Sequence, residues 1–294
     1  LIVSVPTPAQ ERERGFTLIE TIIALLLAML LLGAMAMAFF RTGTEAMRLH
    51  DVTDRRQSAR TAVQMMEREI RMAGSGWGRI PVYGNNSSGQ PVTLAAVVPG
   101  YVSAAADDSL LLVGAWGTQT TVTDVMPSSS SNLKVADVTG FNPNDLVLVS
   151  NGLWANMMQV TSTNPSSEKL QANPASPYNN AGGYKVSDGH WPSSGYPVGS
   201  MIFKLSISSY YMDRTTYRRP ALMRHEYGQS PQIAAYNVDG FRVWYQMQNG
   251  SWTRNPLNLM NVEQVMPVVA TRLSDPRRPA LVDSVWTSLQ PRSF

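Results

Sequence analysis

The sequence predicts an α+β fold: one long N-terminal helix, its first half apolar enough to span a membrane, packed through its second half on a β-rich globular head. Three observations predict it. From Thr21 to Phe40 no residue is charged, and a membrane-spanning helix needs about 20 such residues. From Leu49 to Ile70 apolar residues recur at alternating spacings of three and four, with Arg56 interrupting one position, the period of one helix face. From Trp77 onward short apolar runs alternate with turn-rich stretches, as strands and their connections do. The 294 residues suffice for one large domain or two modest ones beyond the anchor.

Residues 1–15 read as a leader peptide. It holds two prolines and no clear period, and Glu11 and Glu13 offset Arg12 and Arg14. Leu1 in first place is read as a non-AUG start translated literally, or as a start that lies elsewhere. Residues 16–40 form the apolar half of the helix. Leu, Ala and Met dominate it, and they lose little rotamer freedom in a helix. Gly33 is its one helix-weakening residue, at about 1 kcal/mol relative to Ala. Such a run can be a membrane anchor, a cleaved secretory signal or a buried core helix. The core-helix reading fails on length and on the lack of a polar face. A secretory signal ends in small residues at an A-x-A-like site; Phe39, Phe40 and Arg41 follow the run instead, while Ala34-Met35-Ala36 keeps that reading open.

Glu20 is the one carboxylate in this run, and a carboxylate in a membrane segment is costly. Near the helix start it can reach headgroups and the positive end of the helix dipole. Alternatively it meets an opposite charge. A cut after Gly15 creates an α-amine at Phe16, and such an amine on a neighbouring subunit can pair with Glu20 inside an assembly.

Residues 41–76 continue the helix into water. Leu49, Val52, Ala59, Val63, Met66 and Ile70 make one apolar stripe, opposite a face carrying Asp51, Asp54, Arg55, Arg60, Glu67, Arg68 and Arg71. The sequence has no proline between Phe16 and Ile80, and Gly74-Ser75-Gly76 closes the helix. The stripe can seed a coiled coil; packing on a sheet is favoured because a β-rich head, residues 77–294, follows directly. Its expected strands are Val92–Val98, Ser109–Ala115, Thr120–Val125, Leu133–Val135, Leu146–Val149, Met157–Thr161, Met201–Met212, Ala221–Glu226, Phe241–Met247, Val265–Leu273 and Leu281–Thr287. Ser162–Gly199 has little apolar periodicity and reads as a long surface excursion, with residues 117–199 as an alternative second domain inserted in the head.

Composition narrows the chemistry. A net charge of +3 is not the dense basic field of a dedicated nucleic-acid binder. The chain has no cysteine, so disulfides, thiolate metal sites and Cys catalysis are excluded. His50, His190 and His225 lie far apart without HExxH spacing. No G-x-S-x-G elbow, Walker loop or dinucleotide fingerprint occurs in its required context. Asp107 and Asp108 offer half of a glycosidase pair or a calcium site, but an exposed acidic turn is the favoured reading. Asn142, Asn144 and Asp145 offer hard oxygen ligands without a complete calcium loop. The expectation is a non-enzyme without metal or cofactor. Arg218, Arg219 and Arg224, interleaved with Tyr217 and Tyr227, have the chemistry of DNA contact; ordinary hairpin surface is the favoured reading, given so little excess charge.

Gly15-Phe16-Thr17-Leu18-Ile19-Glu20, followed at once by the apolar run, resembles the class III signal of type IV prepilins and type II secretion pseudopilins. The resemblance implies cleavage between Gly15 and Phe16 by a prepilin peptidase, N-methylation of Phe16, and an assembly role for Glu20. Further along, Arg68–Gly74, Asp107–Leu110, Asn144–Ser150, Tyr210–Asp213, Pro220–Arg224 and Asn237–Tyr245 follow in an order similar to that of the PilW-like minor pilins, with Asn144 where that family usually has glycine. Met37 stands where many major pilins carry a proline. The implied protein is a minor pilin that helps initiate type IV pilus assembly, within a tip complex in one version. It is a single-pass inner-membrane protein with its head outside the cytoplasm, and then part of the pilus. Its implied partners are the peptidase, other minor and major pilins and the inner-membrane assembly platform. A J-like pseudopilin of type II secretion and a DNA-binding minor pilin for natural transformation are the alternatives. A membrane-anchored enzyme or solute-binding protein would need a polar pocket, for which no convergent residues stand out.

Overall fold

Helix α1 spans Leu18–Met72, 55 residues without a break, in the computed structural model, which describes residues 17–78, 80–126, 132–179, 191–217, 219–273 and 281–290. The chain divides between Thr53 and Asp54 into two compact units. In the first, every helix residue up to Thr42 is exposed. In the second, α1 buries Ala59, Ala62, Val63, Met66, Glu69 and Ile70, the i, i+3, i+4, i+7 pattern of one face. The predicted stripe is therefore buried from Ala59 onward. Leu49, which continues its spacing, is 66 % exposed.

The helix ends as its glycines require. Ser75 N–H bonds the Met72 carbonyl, and Gly74 and Gly76 adopt φ of 77° and 97°. A Cβ on Gly76 would lie 2.6 Å from the Ala115 Cβ, so the turn needs glycine for both its conformation and its clearance.

The strands after it are β1 (Val82–Asn85), β2 (Pro91–Leu94), β3 (Val97–Gly100), β4 (Ser109–Gly114), β5 (Gln119–Thr121), β6 (Asn132–Lys134), β7 (Leu146–Ser150), β8 (Ala155–Gln159) and β9 (Ser162–Asn164). Then come β10 (Lys169–Gln171), β11 (Met201–Lys204), β12 (Ser206–Asp213), β13 (Ala221–Glu226), β14 (Gln232–Tyr236), β15 (Gly240–Met247), β16 (Trp252–Thr253), β17 (Val262–Leu273) and β18 (Leu281–Trp286). They form sheets in the orders β2-β1-β8-β7-β11-β5, β6-β10-β9, β14-β13-β12-β4-β3 and β16-β15-β17-β18. All pairs are antiparallel except β1 with β8.

The five-stranded sheet packs on α1. Leu110 and Leu112 of β4, Tyr210 of β12 and Leu222 of β13 join Ala59, Val63, Met66 and Ile70 in one buried cluster, to which β15 adds Phe241, Val243 and Tyr245. The sequence expectation of an α+β fold, one long apolar-then-amphipathic helix on a β-rich head, is what the structure contains. A second cluster is drawn from Val122 through Ile202 and includes Trp191 and Tyr196. Strand β7 lies between the two. Leu146 and Leu148 belong to the first cluster, Val147 and Val149 to the second, so all five of its residues are buried. A strand covered on both faces reads as a continuous apolar run rather than an alternation.

Three departures have local causes. Met201–Met212 is two strands, because the chain changes sheets at buried Leu205, whose N–H bonds the Leu146 carbonyl. Strand β1 escapes a sequence reading because Gly84 and Asn85 look like a turn; a Cβ on Gly84 would sit 2.9 Å from Met157, so glycine serves packing here. The stretch expected as a surface excursion contributes β9, β10 and the buried Leu170, Ala172, Trp191 and Tyr196; residues 180–190 of it lie outside the described residues.

Candidate functional site

The apolar half of α1 starts with an ordinary helical turn. The Thr17 carbonyl accepts from the N–H groups of Glu20 and Thr21 at 3.0 and 3.2 Å. Glu20 stands in this first turn and is exposed; a carboxylate there faces the unpaired N–H groups and positive end of the helix. Hydroxyls along the run are turned inward on the backbone: Thr21 donates to the Leu18 carbonyl at 2.8 Å and Thr42 to the carbonyls of Ala38 and Phe39 at 3.0 Å. Donating to the helix's own carbonyls leaves little polar surface to solvate. Leu18, Leu25, Leu32 and Phe39 are all more than half exposed. A continuous apolar surface of this extent needs lipid or protein around it, and the helix is long and apolar enough to cross a membrane. Gly15 and Phe16, the expected cleavage pair, lie outside the described residues.

At the other end α1 is fixed to its sheet by a charged clasp. Glu69, on the buried face, accepts from the Tyr210 hydroxyl at 2.8 Å and from Arg224 Nε at 2.8 Å. Arg224 also reaches Glu226 at 3.1 Å and the Ser208 hydroxyl at 3.4 Å. Burial works against the Arg224 charge, but the hydrogen bond and charge of Glu69 outweigh it and raise its pKa. Burial, then the charge of Glu69, pushes the Tyr210 hydroxyl up. Sequence reasoning missed this clasp. Its signal was Glu69 itself, an acid in phase with Ala59, Ala62, Met66 and Ile70.

The three candidate arginines are not gathered into one described patch. Arg224 is engaged with Glu69 and Glu226; Arg219 is exposed and donates to Asn237 Oδ1 at 3.3 Å; Arg218 lies outside the described residues. Nor is the Asp107–Asp108 turn an exposed acidic one. Asp108 is 4 % exposed. It accepts from Val243 N–H at 2.8 Å and from both Nε and an NH2 of Arg254, at 2.9 and 2.7 Å. The hydrogen bond that Arg254 donates to Asp108 raises the Arg254 pKa. Asp107 holds Phe241 N–H and Arg214. These carboxylates dock β4 to β15. Asp145 pairs with Lys204 at 2.8 Å, and the described residues contain no group of three or more His, Asp or Glu side chains placed to hold a metal. His50 lies on α1 and His225 on β13; His190 lies outside the described residues.

An uncovered apolar helix, long and apolar enough to cross a membrane, continues into an amphipathic one clasped to a β-rich unit, an arrangement that suggests membrane anchoring. Residues 11–36 match the prokaryotic N-terminal methylation motif, which supports a type IV pilin-like protein, a component of a pilus or pseudopilus. The motif is structural in its family. It implies processing by a prepilin peptidase, association with other pilins and membrane anchoring. No curated protein matches the chain.

Proposed function

We propose that this protein is a minor pilin that primes type IV pilus assembly. A prepilin peptidase cuts it after Gly15, Phe16 is N-methylated, and the apolar half of α1 leaves the membrane to pack among the helices of other pilins. The observation that carries the reading is the motif match over residues 11–36, on a helix whose apolar half the chain leaves uncovered. Within the assembly Glu20 sets register by meeting the amine of a neighbouring Phe16, because a charge buried without a partner costs several kcal/mol.

Co-expression with a prepilin peptidase, followed by mass spectrometry of the N-terminus, tests the processing step. The expected product begins at methylated Phe16; a chain still carrying Gly15, or one cut near Ala36, overturns the reading. Glu20→Ala is expected to be cleaved normally yet to enter sheared pili at least about a hundredfold less, the effect of about 3 kcal/mol for an unpaired buried charge. Normal pilus number in cells lacking this gene, with loss of protein secretion, would instead assign it to a secretion pseudopilus.

A further inference from the structure

The outer face of the sheet β16-β15-β17-β18 is not the polar surface its strands lead one to expect. Phe241, Val243 and Tyr245 of β15 and Val265 and Val269 of β17 are buried in the first cluster, so the residues between them face away from it. An antiparallel sheet covered on one side commonly turns polar residues to the other. On this face stand Trp244, Trp252, Trp286, Met266 and Val268 instead. Trp252 is 40 % and Trp286 61 % exposed; Trp244, Met266 and Val268 are half-buried.

The register sets the three indoles on one diagonal. Trp252 lies opposite Gln246, Trp244 opposite Met266, and Trp286 opposite Val268, whose other neighbour is Arg242. With about 4.8 Å between strands and about 6.8 Å between successive same-face residues, Trp252 to Trp244 is about 8 Å and Trp244 to Trp286 about 12 Å. Both steps run the same way across the sheet, which makes a strip about 20 Å long on the same spacings.

An exposed apolar surface of this kind marks an interaction site, and the groups around it select the occupant. Among the described residues, exposed Arg242 and Glu263, the extra residue at the β15–β17 register shift, leave the face without net charge. Tight binding of a nucleic acid needs several phosphates neutralised, so the face does not fit a polyanion. Its remaining polar groups include two amides, Gln246 and Gln264, opposite each other on neighbouring strands. The Ser288 hydroxyl donates to Gln264 Oε1, which leaves the N–H donors of that amide for a ligand. Indole faces are electron-rich and attract the C–H bonds on the flat side of a sugar ring; the amides beside them can bond hydroxyls at its edge. A ribbon with C–H faces and hydroxyl edges, itself uncharged, complements this strip in shape and in charge. We propose that the face binds an unbranched, neutral polysaccharide of equatorially linked pyranoses, its rings stacking on Trp252, Trp244 and Trp286. The inference does not rest on the assembly role of α1.

The test is isothermal titration calorimetry on the full chain in lipid nanodiscs, with cellohexaose as probe and maltohexaose and single-stranded oligothymidine for comparison. Cellohexaose is expected to bind, and Trp252→Ala and Trp286→Ala each to weaken it about tenfold, the worth of one good aromatic contact. Both side chains are exposed, so both variants are expected to melt with the wild type. Maltohexaose, whose axial linkages curl the chain out of a plane, is expected to bind more weakly. No binding of cellohexaose, or equal affinity in the wild type and both variants, overturns the proposal. Tighter binding of oligothymidine that falls steeply with salt makes the ligand a nucleic acid and overturns it too. Binding to purified cell-wall sacculi without binding to cellohexaose makes the partner a peptide-bearing glycan and overturns it. So does a wild type that ignores every sugar while both variants are lost from sheared pili, which would make the face a contact between subunits.

Discussion

Glu69 and Tyr245 show how differently two buried polar side chains can be treated by one fold. Glu69 is enclosed but answered, by Tyr210 and Arg224. Arg224→Ala leaves that carboxylate buried without its cation, and breaking such a pair costs about 3 kcal/mol or more; the urea midpoint of the full chain in detergent measures it. Adding Glu69→Gln to Arg224→Ala is expected to restore part of the loss, because a neutral amide has no charge to leave unpaired. Tyr245 is 1 % exposed, and its hydroxyl has no partner among the described residues. Burial, then the charge of Asp108, raises its pKa above the ordinary 10. A raised folded pKa contributes stability that is complete below the unfolded value and is lost as pH rises through the folded one. Stability is therefore expected to fall above pH 10. Tyr245→Phe is expected to flatten part of that fall and to stabilise the fold at pH 7 by about 1 kcal/mol, the low end of the cost of an unmet buried group. Urea titrations at pH 7, 9 and 11 check both statements. The Glu69 carboxylate falls in phase with the stripe but was not singled out in the sequence; its cation, 155 residues further along the chain, could not be, because no period links the two.

At the scale of elements, what the sequence made legible is what depends on local chemistry. The α1 face from Ala59 to Ile70 and the glycine stop after Met72 both follow from spacing and from backbone freedom. Asn144, expected where a related turn has glycine, takes φ 76°, a conformation Asn tolerates better than other side chains. What depends on distant partners was not legible. Leu49 keeps the stripe's period but stays exposed, and β14 exists because β13 pairs with it and Ser58 accepts its Tyr236 N–H. The helix stop separates two reasons for glycine. At Gly78 (φ 59°) a Cβ would meet nothing within 4 Å, whereas at Gly76 (φ 97°) it would meet Ala115 at 2.6 Å. Gly78→Ala is expected to cost about 1 kcal/mol from the left-handed backbone alone. Gly76→Ala adds a steric clash and is expected to cost at least about 2 kcal/mol. Equal urea midpoints for the two variants would place no strain at the junction of α1 with β4.

The unit from Asp54 onward holds its two clusters together through β7, and this decides how it unfolds. The second cluster hid from the sequence because Trp191 and Tyr196 stand alone among Ser, Pro and Gly, without periodic neighbours. They are buried through each other, edge to face at 5.0 Å, and through the Tyr196 hydroxyl, which donates to Asn156 Oδ1 of β8 at 2.7 Å. Were the two clusters independent, a cavity beneath one would spare the other. Leu148 faces the first cluster and Val149 the second, on adjacent residues of one strand. Leu148→Ala is expected to cost about 3 kcal/mol and Val149→Ala about 2 kcal/mol, the loss of buried methyl groups plus a cavity. A strand cannot leave one face while staying paired on the other, because its ladder bonds to β8 and β11 serve both. Each variant is therefore expected to lower amide protection in both clusters by the same free energy, in a single transition. Hydrogen exchange read at Leu112 and Val243 for the first cluster and at Leu133 and Leu170 for the second checks this. Protection lost on one side alone would show that residues 122–202 unfold as a separate domain.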